Sequence, residues 1–208
     1  MFDLDGVLVS TDEFHYEAWK EVASSLDINF TKEDNNRLRG VSRMESLEIV
    51  LSLKPSLKLS ISQKEEIAKK KNEIYKQLLD KLSPKSISED TLYVLSELKN
   101  MGYKLAIGSS SKNAKYILER TNLLSYFDSV SDGNNITKTK PDPEVFLKAS
   151  EMLGLKPSKC VVVEDAHAGI DAANKGGFLS IGLGDASSYK DANIKIKSLS
   201  QILDILRK

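Results

Sequence analysis

From Ser88 onward, segments with helical spacing alternate with short β-rich ones. They run helix "EDTLYVLSELKNMG", strand "YKLAIGSSS", helix "KNAKYILERTNL", strand "FDSVSD", helix "PEVFLKASEMLG", strand "KCVVVEDA", helix "AGIDAANKGG" and strand "FLSIGLG". This alternation predicts an α/β fold with a doubly wound parallel sheet, because parallel strands need a helical crossover between them. The opening "FDLDGVLV" reads as one more strand. Between it and Pro84 the texture is helical throughout: "EFHYEAWKEVASSL", "KEDNNRLRG", "RMESLEIVLSL" and "SQKEEIAKKKNEIYKQLLDKL". The economical reading is a Rossmann-like core of residues 1–9 and 84–208, with an α-helical cap of residues 10–83 inserted into it. "VST" and "LSPKS" would be the crossings. Gly102 and Gly154 fall where helix C-caps belong, and Asp142 with Pro143 suits an N-cap followed by a first helical residue.

At 208 residues the chain can bury an active site, and 30 basic against 30 acidic residues leave no global field to recruit nucleic acid or an anionic membrane. The single cysteine, Cys160, cannot form an intrachain disulfide and reads as a core residue in a reducing cytoplasm. No apolar run approaches the ~20 residues of a spanning helix, so a soluble, non-exported protein is expected.

In an open α/β sheet, ligands bind beyond the carboxyl ends of the strands. Those ends carry Asp3 with Asp5, Ser109, and Glu164 with Asp165, while "TKTKPDPE" places Lys140 in an extended loop before a helix. Paired carboxylates in a buried strand are out of place unless something cationic sits beside them. Oxygen donors of this kind suit Mg²⁺, and the serine and lysine suit phosphate oxygens. The set supplies a nucleophile, Asp3, an acid/base group, Asp5, and charge neutralisation around a phosphoryl group. Plainer explanations exist for single pieces. Asp5 and Gly6 alone make an ordinary Asp-Gly turn, and "SSSKN" is a sufficient helix N-cap, although a helix N-terminus is also an anion site.

Taken in order, "FDLDGVLVST", the serine ending "LAIGSSS", the lysine of "TKPDPE" and the acidic pair of "VVVEDAHAG" resemble the four motifs of the haloacid dehalogenase superfamily. The resemblance implies that Asp3 forms an aspartyl phosphate. It implies that Asp5 is the general acid/base and lends a backbone carbonyl to Mg²⁺, that Glu164 and Asp165 complete the metal site, and that Ser109 and Lys140 hold the phosphoryl oxygens.

The stretches "DEFHYEAWK", "LRGVSRMESL", "AKKKN" and "SSSKNAKYILERTNL" are similar to those of the beta-phosphoglucomutase branch of that superfamily. This similarity implies interconversion of beta-glucose 1-phosphate and glucose 6-phosphate through a bisphosphate. A phosphatase of small sugar phosphates, and a non-catalytic phosphate-binding module, are the competing readings. Arg43, Ser111, Lys112 and Asn113 would grip the non-transferring phosphate. Thr11, His15 and Lys71 would couple the cap to Asp5, and Trp19 and Gly40 would complete the substrate contacts. A monomer acting on a small sugar phosphate is expected.

Against these roles, Lys71 belongs to "KKK", whose ordinary place is a solvated helix face. His15 stands on an amphipathic helix where a lone histidine is usually structural or exposed, and Trp19 is best read as cap-helix packing rather than a sugar-stacking platform. His167 suits surface or capping duty. The superfamily pattern places several apolar residues ahead of the first aspartate, and here only Met1 and Phe2 precede it. Either the start is assigned late, or the chain was shortened, or the sheet tolerates a short central strand; a late-assigned start is the favoured expectation, and added upstream apolar residues are expected to raise the melting temperature.

Overall fold

The computed structural model describes residues 1–39 and 41–207. Gly40 lies outside the described residues. The chain divides into two compact units, Met1–Ser10 with Leu82–Lys208, and Thr11–Lys81. Against the span read from the sequence, the first crossing falls one residue later and the second two residues earlier.

The first unit is the α/β one. Strands β1 (Ala106–Gly108) and β2 (Ser129–Ser131) pair in parallel, as do β3 (Val161–Glu164), β4 (Leu179–Gly182) and β5 (Ile194–Lys195), in the order β3-β4-β5. The N-terminal segment joins the two sets, because Phe2 bridges Ile107 on one side and Val163 on the other, both parallel. Phe2 N donates to Ala106 O and Asp3 N to Val163 O, each at 2.9 Å. "FDLDGVLV" is thus a single-residue bridge at the sheet centre, shorter than the strand its apolar letters suggest. β5 lies beyond the alternation seen in the sequence, and its two residues are too few to show a period of two.

Helices α5 (Glu89–Asn100), α6 (Ala114–Arg120), α7 (Glu144–Leu153), α8 (His167–Lys175) and α9 (Gln201–Leu206) belong to this unit. Phe146, Val145, Ala149, Val162, Ala172, Ala173 and Phe178 form its main apolar cluster, and Cys160 is buried there. α7 starts one residue later than its sequence suggests: Pro143 is the N-cap, and Asp142 Oδ1 accepts from Glu144 N at 3.1 Å. Gly154 closes α7 in the left-handed region at φ +68°.

The second unit holds α1 (Asp12–Ser24), α2 (Lys32–Asn36), α3 (Arg43–Ser52) and α4 (Ile61–Leu79). Thr31, Ser42 and Ser60 each begin a helix with a capping box, a hydroxyl accepting from the third residue's N–H while that residue's side chain reaches back. Trp19, Val22, Phe30, Leu47, Val50 and Ala68 form its core. Among the described residues no helix is long and apolar enough to cross a membrane.

Candidate active site

Asp3 leaves the sheet centre between β1 and β3, and Glu164 ends β3, so the parallel register brings their carboxylates to one sheet edge. Lys140 reaches the same point from the loop before α7. Its ammonium donates to Asp3 Oδ1 at 2.6 Å and to Glu164 Oε1, and all three groups are buried. The Lys140–Pro141 peptide is cis. Glu144 secures this loop, accepting from Thr137 N at 2.9 Å, Thr137 Oγ1 at 3.0 Å and Lys138 N at 2.7 Å. Those backbone donors hold its pKa down to about 2.

Asp165 follows directly on Glu164, and oxygens of Asp3, Glu164 and Asp165 lie within 4.8 Å of one another. Burial, then the charges of Asp3, Glu164 and Asp5, push Asp165 up to about 8. Burial also raises Glu164, against the pull of Lys140. For Lys140, burial works against the charge, and Asp3 and Glu164 outweigh it, leaving the pKa above the ordinary lysine value. Three carboxylates facing one ammonium leave excess negative charge in a place poor in water. An all-oxygen set under that strain fits a hard divalent cation, so this cluster can bind a metal ion.

Two glycines make the crowding feasible. Gly6 sits at φ +85°, and a Cβ there would stand 2.1 Å from Asp165 Oδ2. A Cβ on Gly169 in α8 would stand 1.9 Å from Glu164 Cδ. Asp5, half-buried just before Gly6, pairs with Val9 across this turn, and Gly6 N donates to Val9 O at 2.8 Å. Neither Gly169 nor Glu144 was singled out in the sequence. For Glu144 the usable signal is its position as the first helical residue after "KPDP".

Ser109 is buried at the end of β1, and its Oγ accepts from Ser111 N at 3.2 Å. Ser111 Oγ accepts in turn from Asn113 N at 3.1 Å. The Asn113 side chain makes no cap bond to α6. Lys112 is exposed, with its carbonyl held by Asn134 Nδ2 at 2.9 Å. Six sequence-nominated residues, Asp3, Asp5, Ser109, Lys140, Glu164 and Asp165, thus belong to the α/β unit, as do Ser111, Lys112 and Asn113.

Thr11, His15, Trp19, Arg43 and Lys71 belong to the helical unit. Lys71 is only 3% exposed, not on a solvated face, and its ammonium stands 2.8 Å from His15 Nδ1. An ammonium only donates, so Nδ1 accepts and the imidazole proton is on Nε2. Burial, then the charges of Lys71 and Arg43, keep His15 well below its ordinary pKa. Arg43, first residue of α3, donates to Asn72 Oδ1 at 2.8 Å. Trp19 is packed in the unit's core with Lys71 Nζ 5.1 Å from its ring centroid. The packing reading therefore holds for Trp19, whose ring has no open face for a sugar. His167 is exposed and stacks on Tyr189 with 4.1 Å between centroids.

Residues 1–183 match the family described as haloacid dehalogenase-like hydrolase. The chain is 37% identical over 203 residues to the beta-phosphoglucomutase of Bacillus subtilis (strain 168), covering 97% of this chain and 90% of that one. It is 32% identical to a phosphorylated carbohydrates phosphatase of Thermotoga maritima, covering 100% of this chain and 97% of that one. A crystal structure of beta-phosphoglucomutase from Clostridium difficile superposes with a TM-score of 0.92 at 34% identity, over 99% of this chain and 93% of that one. With its acidic cluster at the strand ends, the chain is a beta-phosphoglucomutase-like member of the haloacid dehalogenase family of phosphotransferases and phosphatases.

Proposed function

We propose that the protein interconverts beta-glucose 1-phosphate and glucose 6-phosphate through phospho-Asp3 and glucose 1,6-bisphosphate. The observation that carries this reading is the buried contact of Lys140 with Asp3 and Glu164 beside Asp165. Asp3, held by a cation against the sheet edge, is oriented as a nucleophile; its oxygen attacks phosphorus as the phosphorus–sugar oxygen bond breaks. Asp5 donates the proton that the departing alkoxide needs, and takes the proton of the sugar O6 when the phosphoryl group returns. Ser109 and Lys140 meet the phosphoryl oxygens. Asp3, Glu164, Asp165 and the Asp5 carbonyl would hold Mg²⁺, which neutralises charge on the transferring group.

A mutase must hold a second phosphate. Ser111, Lys112 and Asn113 at the start of α6 are the donors for it in this reading. The protein would act as a monomer on a small sugar phosphate, without nucleic acid or membrane. A Mg²⁺-dependent phosphatase would use the same strand-end residues with water as the acceptor, and the similarity to the Thermotoga maritima protein favours that second reading.

Phosphorus NMR of beta-glucose 1-phosphate with Mg²⁺ and a trace of glucose 1,6-bisphosphate separates the two. Accumulation of glucose 6-phosphate supports the mutase. Inorganic phosphate without glucose 6-phosphate gives the site to water.

A further inference from the structure

Three of the helical unit's nominated residues meet on one the sequence reading passed over, Tyr75. Its hydroxyl lies 2.7 Å from Thr11 Oγ1. Its ring stands 4.1 Å from the His15 ring, tilted by 33°, and 4.4 Å from Lys71 Nζ. Tyr75 is 1% exposed and belongs to the buried stripe of α4, Ala68, Lys71, Tyr75 and Leu79, at spacings of three and four. A second observation makes the contact more than packing. Thr11 is the N-cap residue of α1, yet its side chain caps no helical N–H. The hydroxyl that a threonine in this position normally gives to its own helix is engaged by Tyr75.

We propose that Tyr75 is a positioning residue of the helical unit: its hydroxyl fixes Thr11 and its ring carries Lys71 and His15, so that the three act as one array toward a sugar phosphate. The inference rests on the function proposed above. The negative face of the ring favours the charged lysine in a place where water is scarce, and the stacked imidazole is kept with Nδ1 toward the ammonium. The same contacts limit the rotamers of all three side chains, which sets their reach before substrate arrives.

Two variants and two readouts test it. Tyr75→Phe removes the bond to Thr11 and keeps the ring; Tyr75→Leu removes both. Imidazole nitrogen NMR, with His167→Gln assigning the two histidines, reads the His15 tautomer without any substrate. The expected result is a single Nε2-protonated tautomer in the parent and in Tyr75→Phe, and a mixture in Tyr75→Leu. With glucose 1-phosphate, Tyr75→Leu should raise KM about tenfold, and Tyr75→Phe should lower kcat about fivefold at near-constant KM.

Parent-like tautomer and KM in Tyr75→Leu would overturn the proposal and reduce Tyr75 to filling space. If Tyr75→Leu does not fold, Tyr75→Phe decides alone, and an unchanged kcat overturns the link to Thr11. If the parent turns over no hexose phosphate, the functional reading fails, and the tautomer comparison still decides whether Tyr75 orders the array.

Discussion

The Lys140 ammonium donates to Asp3 Oδ1 at 2.6 Å across 137 residues of sequence, with both side chains buried. The same ammonium bonds Glu164, so a single cation restrains two of the three clustered carboxylates. Removing it leaves buried charge uncompensated. Lys140→Met should abolish turnover and destabilise the metal-free protein by about 3–5 kcal/mol at neutral pH, measured by urea unfolding. The loss should shrink at pH 5, because Glu164 and Asp165, whose pKa values burial raises, take up protons; a loss independent of pH would contradict the charge argument.

Asp165 titrates near 8 when folded, against 3.8 as a free side chain. The folded state thus binds a proton that the unfolded state has released, so this group's contribution is present below about pH 4 and is lost as pH rises toward 8. Glu164 has the same sign. The melting temperature of protein stripped of divalent ions should therefore carry a component that falls over this window. Mg²⁺ should raise it more at pH 8 than at pH 5, because protons and the cation compete for the same oxygens. An equal Mg²⁺ effect at both values would place the metal elsewhere.

Gly6→Ala would put a methyl carbon 2.1 Å from Asp165 Oδ2 on a backbone at φ +85°. The turn must shift or Asp165 must move away. A cost of about 1–3 kcal/mol is expected, with Mg²⁺ affinity and turnover lost together. Calorimetric titration with Mg²⁺ checks this, and parent-like affinity would show that Asp165 needs no such close approach.

Glu144 is not in the acidic cluster, but it ties down the loop that presents Lys140. Glu144→Ala should lower kcat about tenfold through misplacement of that lysine, while Mg²⁺ affinity stays near the parent value. Steady-state kinetics beside the same titration separates the two effects.

Much of this was open to reading from the chain. Helix and strand alternation after Ser88 dictates parallel strands, and parallel strands put Asp3, Ser109, Glu164 and Asp165 at equivalent ends. Lys140 was legible because a proline follows it ahead of a helix. What stayed hidden depends on contacts between distant residues. Lys71 looked like one of three solvated lysines, although Ala68, Tyr75 and Leu79 at helical spacing mark its face as the buried one. Tyr75 carried no signal beyond that stripe. Gly169 looked like any helical glycine until Glu164 occupied the space where its side chain would be. β5 has only two residues, too few for any pattern.

The central claim is that Asp3 receives the phosphoryl group, and the direct test is acid-quenched mass spectrometry of protein mixed with glucose 1,6-bisphosphate and Mg²⁺. One added phosphoryl group is expected on the N-terminal peptide that contains Asp3, absent from Asp3→Asn and formed much more slowly in Asp5→Asn, which lacks the acid for the departing alkoxide. A phosphoryl group on another peptide, or none while glucose 6-phosphate is being formed, would contradict it.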